Sequence, residues 1–286
     1  MAFLTLPNAA MARVGQIDKK IPSTGETIPA IGMGSWLTFD VGANQALRAQ
    51  RTQVLKTFFN MGGTLIDSSP MYGSSQSVIG DGLQALQKRP DLFAADKVWT
   101  RDETAGPKQI SQTTQRWKIE KFNLLQVHNL VNWQAHLQTL LEMKSEGQLK
   151  YVGVTSYAGL RYDEIEQIMK TEPIDFVQIT YNLADREVEN RILPLAQDKG
   201  IAVIANRPFR QGALIDYMMK RKLPPLAAEI GAQNWAQLLL KYIISHPAIT
   251  VAIPATRRVD HMRENMGALT GQLPDPALRI KIAALI

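Results

Sequence analysis

Three residues that can hold or move a proton lie in short apolar runs in the first half of the chain: Asp67, Lys97 and His128. A carboxylate in apolar surroundings is costly unless it is paired. Lys97 would lie on the strand next to Asp67 if the strands pair in sequence order. The three residues therefore fit two interpretations: a structural ion pair beside a hydrogen-bonded core histidine, or a functional site.

Tyr72, which lies five residues after Asp67, adds a proton donor to this set. A phenol has a pKa of about 10, which is too high for easy acid–base work near neutral pH. A lysine ammonium beside it would stabilise the phenolate and lower that pKa, and a carboxylate would hold the lysine in place. An imidazole would orient a substrate oxygen. The four residues together predict proton transfer to an oxygen atom, with Tyr72 as the donor.

Short runs rich in Ile, Val, Leu and Ala predict the strands that position these residues. Because most runs are continuously apolar, they are typical of strands buried on both faces, as in a parallel sheet. The runs are Ala30 to Ser35, Thr64 to Ser69, Lys97 to Thr100, Leu124 to Leu130, Tyr151 to Ser156, Phe176 to Asn182, Ile201 to Asn206 and Thr250 to Pro254. Helical periodicity lies between them, at about Gln45 to Asn60, Ser75 to Gln87, Lys108 to Trp117, Trp133 to Ser145, Tyr162 to Lys170, Glu187 to Asp198, Ala227 to Ser245 and Ala277 to Leu285.

This alternation predicts an α/β fold, a closed (β/α)8 TIM barrel in a single domain. The chain has 286 residues, and one such barrel takes about 250. A doubly wound open sheet is the alternative, but Gly32-Met33-Gly34 lacks the third glycine of a dinucleotide-binding fingerprint. Since barrel chemistry takes place at the C-terminal ends of the strands, we expect the four polar residues to meet there.

The composition excludes several classes of function. Cysteine is absent, so disulfides, thiolate nucleophiles and iron–sulfur clusters are excluded, and the four histidines form no HExxH pattern, so no metal is expected. The 32 Lys and Arg against 26 Asp and Glu give a net charge of +6, but they are scattered, so we expect no nucleic-acid partner. A modest positive field suits an anionic small molecule. No apolar run approaches about 18 residues, so membrane insertion is not expected.

Residues 1–20 are expected to be an N-terminal extension, disordered or the remnant of a signal, and residues 21–286 the barrel. The run from Ala2 to Leu6 is apolar and Ala10-Met11-Ala12 resembles a cleavage site, but no basic residue precedes the run. Phe3 to Leu6 is also similar to the segment that follows the arginine pair of a twin-arginine signal. We expect a cytoplasmic protein, with export to the periplasm as the alternative if such a signal has been lost.

Several segments of this chain resemble the aldo-keto reductases in their order and spacing, over about Ile21 to Leu269. They are Ile31 to Trp36, Leu65 to Gly73, Gln126 to Asn129, Tyr151 to Ser156, Ile253 to Thr256 and Arg263 to Asn265. The resemblance implies NADPH-dependent interconversion of carbonyls and alcohols on a (β/α)8 barrel without a metal. It implies that Tyr72 is the general acid, that Lys97 and Asp67 tune it, and that His128 orients the substrate carbonyl.

The resemblance also implies which residues bind the cofactor, with NADPH expected rather than NADH. They are Thr155, Ser156, Gln178, Asn206, Arg207, Pro208, Phe209, Gly212, Thr256, Arg257, Arg258, Glu264 and Asn265. The chain departs from the family pattern at three places in this set. Ser156 is shorter than the usual Asn, Asn206 stands where an aromatic residue commonly stacks on the nicotinamide, and the pair Arg257-Arg258 follows a position from which a lysine is missing.

The substrate is expected to be a small carbonyl compound in an aromatic pocket formed by Trp36, Trp99, Asn129 and Trp133. The chain stops directly after its last predicted helix, so the pocket is expected to be open and permissive, with a missing C-terminal tail as the alternative. The protein is expected to be a monomer. Two other functions stay open at this point. One is an NADP(H)-binding sensor of the same fold without catalysis, and the other is a phosphate-binding barrel lyase or isomerase, suggested by fold analogy alone.

Overall fold

The computed structural model describes residues 15–86 and 91–286. The strands in these ranges are β1 (Asp18–Lys20), β2 (Thr27–Pro29), β3 (Met33–Gly34), β4 (Leu65–Asp67), β5 (Phe93–Val98), β6 (Leu124–Val127), β7 (Tyr151–Thr155), β8 (Phe176–Thr180), β9 (Ala202–Asn206) and β10 (Ile249–Ala252). The strands from β3 to β10 form one eight-stranded parallel sheet in chain order.

Backbone contacts between the first and last strands of this sheet bring it close to a closed barrel. Ile31, just before β3, forms a parallel bridge with Ala252 at the end of β10. The backbone N–H of Gly32 donates to the Ala252 carbonyl over 2.9 Å, and that of Ala252 donates to the Ala30 carbonyl over 2.9 Å. The predicted single-domain (β/α)8 barrel is thereby confirmed, and the open doubly wound sheet is excluded.

Helices follow the barrel strands and cover the outside of the sheet. They are α1 (Gln45–Asn60), α2 (Ser75–Ala85), α3 (Gly106–Trp117), α4 (Trp133–Ser145), α5 (Tyr162–Thr171), α6 (Ile192–Lys199), α7 (Ala213–Met218), α8 (Leu226–Glu229), α9 (Trp235–Ile244), α10 (Val259–Gly267) and α11 (Pro276–Ala283). Within residues 15–86 and 91–286, none of the helices is long and apolar enough to cross a membrane.

The alternation of side chains along each strand decides which residues point into the barrel. In β4, Leu65 belongs to the apolar cluster inside the barrel and Ile66 to the layer between strands and helices. Asp67 therefore points inward again. In β5, Ala95 belongs to the inner cluster, so Lys97, two residues later, also points inward. The barrel interior is apolar near the start of its strands and polar where they end.

A hairpin of β1 and β2 covers the N-terminal end of the barrel. Ile21 and Ile28 of this hairpin join the inner apolar cluster. The Tyr151 hydroxyl, at the first residue of β7, forms a 2.7 Å hydrogen bond with the Thr24 hydroxyl. Residues 18–20 therefore take part in the fold, which corrects the expectation that the N-terminal extension reaches residue 20. The apolar run and the cleavage-like and signal-like segments lie in residues 1–14, outside the described residues.

The structure corrects three predicted elements. The strand predicted at Lys97 to Thr100 instead spans Phe93–Val98 (β5). Lys97 therefore lies near the end of its strand rather than at its start. Charged residues are tolerated inside β5 because each has buried partners, described below. The helix predicted from Ala227 to Ser245 is instead two helices, α8 and α9. Gly231 lies between them and has a φ of +68°. The helix predicted from Glu187 is a 3-10 turn followed by α6, and α7 and α10 were not predicted.

Candidate active site

A fully buried ion pair lies at the C-terminal ends of two adjacent barrel strands. Lys97 Nζ of β5 lies 2.6 Å from Asp67 Oδ2 of β4, and the two residues are 1% and 2% exposed. Lys97 Nζ also donates to the carbonyl of Ser68 over 2.7 Å. Burial alone would lower the pKa of Lys97, but the charge and hydrogen bond of Asp67 together with Tyr72 and Asp96 outweigh it, so this pKa is raised above its usual value. The lysine therefore stays protonated.

The second oxygen of Asp67 accepts hydrogen bonds from two buried amides on more distant strands. Gln178 Nε2 of β8 donates to Asp67 Oδ1 over 2.9 Å, and Gln126 Nε2 of β6 lies 3.4 Å from the same atom. Sequence reasoning assigned Gln178 to the cofactor and overlooked Gln126. The alternation of β6 was the available signal, because Gln126 stands two residues before His128 and must point to the same side.

Tyr72 lies on the loop after β4, with its ring beside the buried lysine. Lys97 Nζ is 5.3 Å from the centroid of the Tyr72 ring, and the centroids of the Trp36 and Tyr72 rings are 6.4 Å apart. Burial raises the pKa of Tyr72 to about 12; Lys97 opposes this shift, while Asp67 adds to it. The expected lowering of the phenol pKa is therefore outweighed in the free protein. Tyr72 holds its proton throughout the neutral range.

His128 follows β6 directly and lies edge-on to Tyr72. The two ring centroids are 5.6 Å apart and the ring planes are inclined by 84°. The Nδ1 atom of His128 lies 2.7 Å from the hydroxyl oxygen of Ser69, which is fully buried on the loop that carries Tyr72. Burial, and secondarily the charge of Lys97, hold the pKa of His128 well below 6.5. The imidazole is therefore neutral at neutral pH.

The structure thus brings Asp67, Tyr72, Lys97 and His128 together at one end of the barrel. A second carboxylate, which sequence reasoning did not assign, lies behind them on the outer side of β5. Asp96 is fully buried, and it accepts the indole N–H of Trp117 over 2.6 Å and the backbone N–H of Lys97 over 2.7 Å. Gln76 Nε2 lies 3.1 Å from both of its oxygens. Burial raises the pKa of Asp96 to about 7.

The raised pKa of Asp96 predicts a pH-dependent contribution to stability. Between pH 4 and 7 the folded protein holds a proton that the unfolded chain has lost, so the free energy of unfolding falls as the pH rises through this window. The slope is at most about 1.4 kcal/mol per pH unit. Asp96→Asn has no carboxyl group to titrate at this position. The free energy of unfolding of the wild type minus that of the variant should therefore decrease from pH 4 to 7. Denaturant titrations of both proteins across this pH range measure the difference. A difference that stays constant with pH would contradict a raised pKa for Asp96.

The residues predicted to hold the nicotinamide lie on or directly after β7, β8 and β9. Thr155 Oγ1 accepts the backbone N–H of Asn129 over 3.0 Å, and the Ser156 hydroxyl donates to the Leu160 carbonyl within its own loop. The amide of Asn206 donates to the Ser156 carbonyl over 2.9 Å and accepts the Thr180 hydroxyl over 2.7 Å. Asn206 is therefore held in place by the two preceding strands.

The loop predicted for the pyrophosphate begins directly after β9. Arg207 has a positive φ of +52°, and its Nε atom is buried without a hydrogen-bond partner among the described residues. Pro208 is buried and Phe209 packs against the outer apolar layer. Gly212 has a φ of +102°, which a side chain would strain, and its N–H closes a turn onto the Phe209 carbonyl over 2.9 Å. Arg210 belongs to this turn, and its Nε atom lies 3.2 Å from Asp185 Oδ2.

The basic residues after β10 line a hollow beside α1 and the start of α10. The hollow is lined by Gln50, Gln53, Arg257, Arg258, Val259, Asp260 and Arg263. Arg258 is paired with Asp260 over 2.5 Å, which leaves Arg257 and Arg263 as its cations without an ion pair among the described residues. Thr256 Oγ1 accepts the backbone N–H of Arg258 over 3.1 Å. Glu264 and Asn265 follow on α10, and Asn265 is buried.

The aromatic residues predicted to line the substrate pocket go to three different places. Trp36 lies against Tyr72, as described above. Trp99 follows β5 and is 40% exposed. Asn129 follows His128 in the left-handed region, with a φ of +53°. The Trp133 indole donates to Glu164 of α5 over 2.7 Å, so the structure places Trp133 between two outer helices rather than beside Tyr72.

Comparison with known proteins identifies the family. The aldo/keto reductase family profile matches residues 30–279, which is most of the chain. The chain belongs to this family and is an oxidoreductase that acts on carbonyl groups.

Two relatives and one solved structure illustrate the similarity. Methylglyoxal reductase YeaE of Escherichia coli strain K12 is 26% identical, over 91% of this chain and 92% of the relative. The NADH-specific methylglyoxal reductase of the same organism is 25% identical, over 90% of this chain and 95% of the relative. A crystal structure of an aldo/keto reductase from Klebsiella pneumoniae in complex with NADP and acetate has a TM-score of 0.77 and 24% identity, with 93% of this chain and 94% of that one covered.

Proposed function

We propose that this protein reduces small aldehydes or ketones to alcohols with NADPH, and that Tyr72 donates the proton. The observation that carries the proposal is the arrangement around the phenol: a buried, paired Lys97 on one side and a neutral His128 on the other. A neutral imidazole and a protonated phenol are both hydrogen-bond donors, and both are suited to a carbonyl oxygen.

The residues present fit a nicotinamide cofactor. The Nε atom of Arg207 is buried and has no hydrogen-bond partner in the part of the chain that the structure describes, so it offers a charged donor to an anion in the loop after β9. Arg257 and Arg263 offer two further cations in the hollow after β10, where an adenosine 2′-phosphate would have a partner. Asn206 and Gln178 would face the nicotinamide end, beside the reacting groups. When bound, the cofactor supplies the hydride.

The residues of the chain perform the remaining steps. The substrate carbonyl oxygen accepts hydrogen bonds from Tyr72 and His128, which fixes its orientation and polarises the carbon. As negative charge develops on this oxygen, the Tyr72 proton moves to it. Lys97 stabilises the resulting phenolate, and Asp67 keeps Lys97 charged and in place. Because Tyr72 has a pKa of about 12 in the free protein, its proton is retained until an alkoxide forms and draws it off.

The proposed substrates are small carbonyl compounds, with methylglyoxal as the first to test because two relatives are methylglyoxal reductases. Trp36 and the exposed Trp99 would form the apolar wall. The experiment is to assay a panel of aldehydes and ketones with NADPH and with NADH. Turnover is measured as the loss of cofactor absorbance. Steady oxidation of NADPH with at least one carbonyl supports the proposal. Binding of NADPH without turnover on any carbonyl would favour a sensor instead.

The preference for NADPH is predicted to depend on two arginines. In Arg257→Gln/Arg263→Gln, the Kd of NADPH should rise about 10- to 100-fold, because a charge-assisted hydrogen bond contributes about 1.5–3 kcal/mol. The Kd of NADH should stay nearly unchanged, since NADH lacks the 2′-phosphate. Titration of tryptophan fluorescence measures both constants, and Lys170→Gln, a surface cation on α5, is the control. Equal weakening of both cofactors would contradict the prediction.

A further inference from the structure

We propose that Ser69 is a positioning residue that selects the tautomer of His128. Its hydroxyl donates to Nδ1 of His128 and thereby keeps the ring hydrogen on Nε2, the nitrogen left free for a substrate oxygen. The consequence for catalysis rests on the function proposed above, whereas the tautomer is a property of the free protein and is testable without any substrate.

The contact is short and shielded from solvent. Ser69 Oγ and His128 Nδ1 are 2.7 Å apart, although the two residues are separated by 59 positions in the chain. Ser69 is 0% exposed and His128 is 5% exposed. Because water has little access to either group, each must find its hydrogen-bond partner within the protein.

The direction of this hydrogen bond follows from counting donors and acceptors. A serine hydroxyl has one hydrogen to donate and two lone pairs that accept. Ser69 Oγ already accepts the backbone N–H of Met71 over 3.1 Å. Among the described residues, Nδ1 of His128 is the one acceptor within reach of the hydroxyl hydrogen. A neutral imidazole has one donor and one acceptor nitrogen, so Nδ1 accepts and Nε2 carries the hydrogen.

The surroundings keep the imidazole in the neutral state that this count requires. Burial and the nearby charge of Lys97 both disfavour a second proton on the ring. Nε2 has no hydrogen-bond partner among the described residues. The free nitrogen is therefore a donor, which a carbonyl oxygen can accept. The other tautomer would direct a lone pair at that oxygen and repel it.

One turn coordinates both donors. The backbone N–H of Tyr72 donates to the Ser69 carbonyl over 3.0 Å, so the residue that holds His128 also closes the turn that carries Tyr72. The main chain of Ser69 thus orients the phenol, while its hydroxyl orients the imidazole. The two donors are fixed relative to each other by a single residue from outside the set of four.

Nitrogen NMR of the free protein tests the tautomer directly. The chain has four histidines, so selective 15N-histidine labelling gives a simple spectrum, and the His128 signals are those missing from His128→Gln. We expect an unprotonated Nδ1 and a protonated Nε2 in the wild type, and a mixture of tautomers in Ser69→Ala. A hydrogen on Nδ1 in the wild type, or an unchanged tautomer in Ser69→Ala, would overturn the proposal.

Kinetics in two backgrounds test the consequence. Ser69→Ala should lower kcat/KM for the carbonyl about tenfold, the loss expected for one hydrogen bond, and leave the Kd of NADPH unchanged. Ser69→Thr keeps the hydroxyl and should restore most of the activity. The glutamine amide in His128→Gln has no tautomer to select. In that background Ser69→Ala should cause no further loss of kcat/KM. An equal loss in both backgrounds would mean that Ser69 acts only through the Met71 turn, and would overturn the proposal.

Ser75→Ala is the matched control, since Ser75 is also fully buried and its hydroxyl makes a weak 3.4 Å contact with the Ser35 carbonyl on the adjacent loop. It should change neither the tautomer nor kcat/KM. The two measurements also separate this proposal from the proposed function. If no carbonyl is reduced by the wild type, the function fails, while the NMR spectrum still decides whether Ser69 sets the His128 tautomer.

Discussion

Tyr72→Phe should lower kcat for carbonyl reduction by about 10³-fold and leave the Kd of NADPH nearly unchanged. The phenol supplies the proton, and phenylalanine keeps the ring that packs beside Lys97, His128 and Trp36 while removing the only atom that carries this proton. The fold and the cofactor contacts should therefore survive. Steady-state kinetics with the best carbonyl of the panel and fluorescence titration with NADPH measure the two quantities.

The matched control for this substitution is Tyr217→Phe, since Tyr217 is 45% exposed on α7 and its hydroxyl accepts a hydrogen bond from the Arg221 side chain. This variant should keep wild-type kcat. Wild-type turnover in Tyr72→Phe would exclude Tyr72 as the proton donor. A parallel loss of NADPH binding would indicate that the ring position, rather than the hydroxyl, had been disturbed.

Lys97→Met should abolish measurable turnover and also reduce the free energy of unfolding by about 3–5 kcal/mol. The stability loss arises because Asp67, which is 2% exposed, would lose its cationic partner. Two amide hydrogen bonds to its other oxygen cannot replace a cation. Chemical denaturation at neutral pH measures the loss, and the activity assay is the one used for Tyr72.

Two further variants separate charge from packing in this prediction. Asp67→Asn/Lys97→Met removes both charges and should recover part of the stability, while activity stays lost. Lys241→Met is the matched control, because Lys241 is also fully buried but, among the described residues, donates to the Thr270 and Gln272 carbonyls rather than to a carboxylate, so its removal leaves no charge unpaired. Lys241→Met should lose less free energy of unfolding than Lys97→Met. An equal loss in both lysine variants would show that the Asp67 charge is not the cause.

Most of the fold could be predicted from the sequence because its signals are local. Continuous apolar runs followed by helical periodicity predict the barrel, and the bounds of α1 and α4 agree with the structure residue for residue. The errors occurred where a local signal was ambiguous. The predicted strand starts at Lys97 because Asp96 interrupts the apolar pattern, although in the structure Lys97 is paired with Asp67 and Asp96 is hydrogen-bonded to Trp117.

The sequence by itself determined that Asp67 and His128 stand at the ends of barrel strands and that Tyr72 lies on the loop that follows, since the apolar runs before them are local signals. It also determined the family, because several motifs recur in a fixed order. The tertiary structure alone decided which environment each of these side chains has. The net pKa shift of Tyr72 depends on burial by residues from several strands, which outweighs Lys97. The hydrogen bond from Ser69 to His128 joins residues 59 positions apart, and Trp133 turns to Glu164 on the next helix. Such contacts depend on how distant segments pack, so no local pattern in the chain specifies them.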